Sequence, residues 1–177
     1  MNNNSSTIET IDNIVKKAKI AQLEFEKYNQ EQVDEVVTAV AWSICNPTHN
    51  KLISDLAVNT TSLGKADDKI VKNKRKTLGL LRDLKNAKTV GVIKEDKEKG
   101  IVEIAKPVGV VAAVTPSTNP AATPINNILN AIKGRNSIVV SPSPSGLKVF
   151  QELLHYINQE LNKIKAPKNL IQTLSHL

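Results

Sequence analysis

Residues 107–141 read PVGVVAAVTPSTNPAATPINNILNAIKGRNSIVVS, and the order of patterns within them decides the fold. Residues 108–114 are wholly apolar and end in a loop rich in Thr, Ser and Pro. Such a run suits a central strand covered on both faces. Ile125, Ile128, Leu129 and Ile132 then recur at helical spacing, and Gly134 stops the helix. Residues 137–141 return to an apolar, β-branched run. A strand, a crossover helix and a second apolar strand imply a parallel, right-handed unit.

Reading downstream, Leu147, Phe150, Leu154, Ile157, Leu161 and Ile164 predict a long amphipathic helix, and residues 169–174 begin another strand. Upstream, residues 89–93 and 101–105 are β-like. They flank a charged turn over residues 94–100, which predicts an antiparallel hairpin. Before the hairpin the period is helical. Ser6 and Glu9 have capping-box spacing ahead of Ile8, Ile11, Val15, Ala18 and Phe25. Asn29 caps a second helix carrying Val33, Val36, Val37, Val40 and Ile44, which ends near Pro47. A third helix carries Leu52, Ile53 and Leu56 and stops by Gly64. A fourth starts at Asp67 or Asp68 and runs to about Asn86. The expected fold is therefore α/β. It comprises a disordered tail over residues 1–5, a helical region over 6–87, a β-hairpin over 88–106, and the first βαβαβ part of a parallel Rossmann-like sheet over 107–177. A parallel sheet of about three strands with one flank uncovered is an incomplete domain, so the chain is expected to be the N-terminal part of something longer.

Composition narrows the function. The 177 residues carry a net charge of +7, 40% apolar residues and only 3% aromatic residues. The densest basic cluster, Lys69, Lys72, Lys74, Arg75 and Lys76, falls in a helical pattern and reads as a solvated helix face. Without interleaved aromatics it offers no base-stacking platform, so nucleic acid is not an expected partner. No run has the length of a membrane span. The lone cysteine, Cys45, excludes an internal disulfide and fits a reducing, cytoplasmic setting. It reads as a structural thiol. His49, His155 and His176 show no metal-ligand spacing, so no metal is expected.

In open parallel sheets, ligands bind beyond the carboxyl ends of the strands. Two loops leave such ends here, residues 115–123 and 141–146. Their hydroxyls and prolines suit a ligand-facing role, and they equally suit ordinary turns. The dinucleotide fingerprint G-x-G-x-x-G is absent, since Gly109 stands alone. Asn119 lies between Pro116 and Pro120. Its local reading is an Asx-turn cap for the helix that follows.

The stretch EIAKPVGVVAAVTPSTNPAATPINNILNAIKGRNSIVVSPSPSG resembles the aldehyde dehydrogenase superfamily. In that family a P-x-G-V strand runs into a Pro-rich loop bearing Asn. The T-P-S-T-N-P form, followed by R-N-x-I and S-P-x-P, resembles the CoA-acylating branch, which includes acetylating acetaldehyde dehydrogenases and the aldehyde half of bifunctional aldehyde–alcohol dehydrogenases. AQLEFEKYNQEQVDEVV and KTVGVIKEDKEKGIVEI are similar to the same branch.

The resemblance implies a mechanism. A cysteine thiolate attacks the aldehyde, hydride passes to NAD, and coenzyme A takes the acyl group from the thioester. It makes Asn119 the donor to the developing oxyanion. It places Thr115, Pro116, Ser117 and Thr118 along the nicotinamide half of NAD, and Ser141, Pro142 and Ser143 near the adenosine ribose. Non-acylating relatives usually carry Lys where Ser141 stands, and many acylating ones carry His where Ser143 stands. The family's nucleophilic cysteine lies downstream of Leu177, so the chain alone is expected to be inactive. Acetaldehyde is the first expected substrate and sulfoacetaldehyde the second. A homo-oligomer formed through the hairpin region is implied. The rival reading is a non-catalytic, truncated remnant.

Overall fold

The computed structural model describes residues 2–174, with side-chain surroundings described from Thr7 on. Four helices open the chain: α1 (Asn2–Phe25), α2 (Gln30–Cys45), α3 (Pro47–Thr61) and α4 (Ala66–Leu84). A two-stranded antiparallel sheet follows, β1 (Gly91–Asp96) with β2 (Ile101–Ala105). The remainder alternates as β3 (Val110–Thr115), α5 (Ala122–Lys133), β4 (Ser137–Pro142), α6 (Leu147–Lys163) and β5 (Ile171–Thr173), with a 3-10 turn at Pro144–Gly146. The strands β3, β4 and β5 lie in that order and are parallel. The βαβαβ reading thus holds, and the hairpin pairs as expected.

Local chemistry explains the boundaries. Asn29 and Gln32 form a complete capping box on α2. Asn46 accepts from the amides of Thr48 and His49, while Pro47 occupies the first turn of α3, where its missing N–H costs nothing. Asp67 and Asp68 sit in the first turn of α4, favourably placed against the helix dipole. The core lies where α2 packs on α4, α5 and α6. Phe25, Ile44, Ile53, Ile125, Ile128 and Phe150 are fully buried there.

The structure bears on three expectations. First, among the described residues the middle strand is β4, buried along nearly all its length with α1 and α5 against it. Among the described residues β3 stands at one end of that order, with Ala113 and Thr115 buried and Ala112 and Val114 exposed, Val114 by 85%. Second, α1 begins at Asn2 and not at the Ser6 capping position, so residues 2–5, read as a disordered tail, continue the helix; Met1 lies outside the described residues. Third, the buried side chains among the described residues of α1 lie in its C-terminal half. Ala18, Ala21 and Phe25 are buried, but Ile8, Ile11 and Val15 are 60%, 41% and 40% exposed.

The Arg135–Asn136 pair anchors the entrance to the sheet. Arg135, at φ 59°, donates to the carbonyls of Glu26 (2.8 Å) and Ala105 (3.0 Å), tying α1 and the hairpin to the α5–β4 turn. Asn136 Oδ1 accepts from the amides of Val108 (2.7 Å) and Gly109 (3.0 Å), and its Nδ2 donates to Ala131 O (3.2 Å) and Gly134 O (3.3 Å). Gly109 has φ +115°, a conformation that L side chains rarely adopt.

A candidate active-site loop at the strand ends

The two loops singled out in the sequence meet beyond the carboxyl ends of β3 and β4. The backbone N–H of Ser143 donates to Thr115 O at 2.9 Å. Gly146 fits closely between the loops: a Cβ there would lie 3.2 Å from Pro120 Cβ and 3.0 Å from Ser143 Oγ. The hydroxyls of Thr115 and Ser143 are both buried without a hydrogen-bond partner. Pro116 and Thr118 are exposed, Ser117, Asn119, Ser141 and Ser143 are half-buried, and Pro142 is buried. The structure therefore brings together the residues of both loops.

Asn119 is held in a specific way. Its backbone carbonyl accepts from Thr123 N–H at 3.3 Å. Its side chain makes no cap: the N-cap of α5 is Ala121, with no side-chain hydrogen bond. Instead, Asn119 Oδ1 accepts from Lys72 Nζ at 3.0 Å, and Nδ2 has only a long contact of 3.5 Å to Thr118 Oγ1. The amide is thus oriented by its oxygen, while its N–H groups remain largely uncommitted.

Lys69 and Lys72 are functional candidates that the solvated-face reading passed over. Lys69 is 8% exposed and its Nζ donates to Thr118 O at 3.3 Å. Burial pushes its pKa down, with a smaller push from the neighbouring Lys72 ammonium. Neither lysine has a salt-bridge partner among the described residues, although Asp68 lies four residues before Lys72. Lys74, Arg75 and Lys76 are exposed, as expected. The available signal was the i,i+3 spacing of Lys69 and Lys72, which puts both on one side of α4.

Other candidates stay outside this region. Cys45 ends α2, and burial raises its thiol pKa against an opposing effect of Lys74. His49 stacks on Tyr156 with ring centroids 3.9 Å apart, and its Nδ1 lies 3.0 Å from Ser43 O. His155 lies 2.9 Å from Gln159 Nε2; His176 is outside the described residues. Among the described residues no cluster of three His, Cys, Asp or Glu could hold a metal ion, and no helix is long and apolar enough to cross a membrane.

Residues 2–176 match the model of the aldehyde dehydrogenase family. The chain belongs to that family. Among its relatives, the sulfoacetaldehyde dehydrogenase (acylating) of Cupriavidus necator is 51% identical over 94% of this chain and 34% of its own length. An acetylating aldehyde dehydrogenase from Geobacillus thermoglucosidasius superposes with a TM-score of 0.91 at 36% identity, covering 97% of this chain and 37% of that one. A propionaldehyde dehydrogenase from Rhodopseudomonas palustris, solved with bound CoA and an acylated cysteine, superposes with a TM-score of 0.78 at 28% identity, covering 93% and 37%. This aldehyde dehydrogenase chain thus spans about a third of the length of the proteins it matches. Its relatives include enzymes of the CoA-acylating kind.

Proposed function

We propose that residues 1–177 form the N-terminal third of a CoA-acylating aldehyde dehydrogenase, which oxidises a short aldehyde to its acyl-CoA with NAD. The observation that carries this reading is the state of Asn119. Lys72 occupies Oδ1, so Nδ2 is the end left to donate to a carbonyl oxygen. That oxygen gains negative charge when a thiolate attacks the aldehyde, and a donor already in place stabilises it without reorganising at the moment of reaction. The loop holds the amide there through buried Pro120, which packs against Gly146, and through the Lys69 contact to Thr118 O. Asn119 is the catalytic residue of this chain.

Bound NAD would accept the hydride. Thr115, Pro116, Ser117 and Thr118 would lie along its nicotinamide half, and Ser141, Pro142 and Ser143 by the adenosine ribose. The unpartnered hydroxyls of Thr115 and Ser143, one at each strand end, fit polar groups arriving at this position. The attacking thiolate comes from outside these residues, because Cys45 is a half-buried thiol at the end of α2 with a raised pKa. The similarity to a sulfoacetaldehyde dehydrogenase favours sulfoacetaldehyde over acetaldehyde as the substrate. The hairpin, with Val92, Ile93, Ile101, Val102 and Ile104 all exposed, is the surface for a second copy.

The test is an assay of the enzyme that carries residues 1–177, with sulfoacetaldehyde or acetaldehyde, CoA and NAD. NADH and the acyl-CoA should appear in equal amounts, and only when CoA is present. Release of the free acid with no need for CoA, or no oxidation of any short aldehyde, would refute the reading.

A further inference from the structure

We infer that Lys72 is a specificity-determining residue of this enzyme: its ammonium, supported by Lys69, binds the anionic head of a short aldehyde whose carbonyl oxygen rests on Asn119. The inference rests on the function proposed above and adds to it the group that selects the substrate.

Two lysines lie on one side of α4 against the loop, and neither is neutralised by a carboxylate among the described residues. Lys69 is 8% exposed. Partly buried like charges without a counter-ion disfavour one another, and burial together with Lys72 already pulls the pKa of Lys69 down. An anion beside them relieves both costs. Position then selects which anion. Lys72 Nζ is 3.0 Å from Asn119 Oδ1, one hydrogen bond from the amide. The same amide, through Nδ2, reaches an oxyanion at about 2.7–3.1 Å. A sulfonate or carboxylate one methylene from the carbonyl falls within that span, and a neutral alkyl group there would leave the ammonium unmatched. Lys72 uses one of its three donors on Asn119, so donors remain for the anion.

A phosphate of NAD or CoA would present similar chemistry, and the experiment separates the two sources. In the enzyme carrying residues 1–177, kcat and KM are measured for sulfoacetaldehyde and for neutral propionaldehyde, each with KM for NAD and CoA, in the wild type, Lys72→Met and Lys72→Arg. Lys72→Met should lower kcat/KM for sulfoacetaldehyde relative to propionaldehyde by about 10- to 150-fold, the loss of one hydrogen bond between charged groups. Lys72→Arg should keep most of the preference. Equal losses on both aldehydes would overturn the inference and make Lys72 only a support for the Asn119 amide. A rise in KM for NAD or CoA with an unchanged aldehyde preference would also overturn it, in favour of a cofactor phosphate. A wild type that oxidises propionaldehyde with CoA but has no preference for the sulfonate would sink the inference and leave the proposed function standing. A wild type that oxidises neither would sink both.

Discussion

Replacing Asn136 by alanine should be among the most damaging single changes in the chain, although Asn136 touches neither candidate loop. Four hydrogen bonds converge on its amide. Two are short bonds from the amides of Val108 and Gly109, which would lose their acceptor. Val108 is 85% exposed, so water can replace part of that loss. The other two are longer, at 3.2 Å and 3.3 Å, and Ala131 O keeps the Asn136 backbone N–H at 2.9 Å. At about 0.5–1.5 kcal/mol for each bond, with those discounts, the sum is about 2–3 kcal/mol. For a unit of this size that is a fall in Tm of roughly 4–12 °C. Thermal unfolding followed by circular dichroism, with urea unfolding as a check, reads it directly. Asn136→Asp sharpens the test. It keeps an acceptor for the two amides but turns oxygen towards the carbonyls of Ala131 and Gly134, so it should be no better than alanine. A Tm within about 2 °C of wild type for either variant would refute the claim that this side chain anchors the entrance to the sheet.

Gly146→Ala should push on Pro120 and Ser143 and displace the Asn119 loop by a few tenths of an ångström. Since a 1 Å misplacement can cost about a hundredfold, kcat should fall by about four- to tenfold with a small change in Tm; an unchanged kcat would show that the two loops are not coupled through this contact. Cys45→Ser should leave aldehyde turnover unchanged, and the thiol should react slowly with iodoacetamide at neutral pH. Because burial raises the folded-state pKa of Cys45, its contribution to stability is present below the unfolded thiol pKa and is lost as pH rises through the folded one. The alkaline loss of stability should therefore shrink in Cys45→Ser, and identical pH profiles for the two proteins would contradict this.

Much of the fold was legible because its strong signals are local. The capping pair Asn29 and Gln32, Pro47 at a helix start, the switch of period at the hairpin and the apolar runs of β3 and β4 each leave their mark within a few residues. What was not legible depends on neighbours distant in the chain. The exposure of Val114 follows from what packs over its face of the sheet, which no pattern within residues 108–114 encodes. The exposed stripe of Ile8, Ile11 and Val15 has helical spacing whether or not another element covers it. In the candidate site, Asn119 stood out through its flanking prolines. Lys69 and Lys72 did not, because their partners lie 49 and 47 residues away and a run of lysines on a helix has the same appearance whether solvated or docked.

The most direct test of the account is Asn119→Ala in the enzyme that carries this chain, with kcat, NAD affinity and Tm measured on the same preparation. An amide that donates to the oxyanion predicts a fall in kcat of about a hundred- to a thousandfold, roughly 2.7–4 kcal/mol, with NAD affinity and Tm close to wild type. A kcat near wild type, with Tm lowered as expected for the loss of a turn residue, would contradict it and reduce Asn119 to a structural element of the loop.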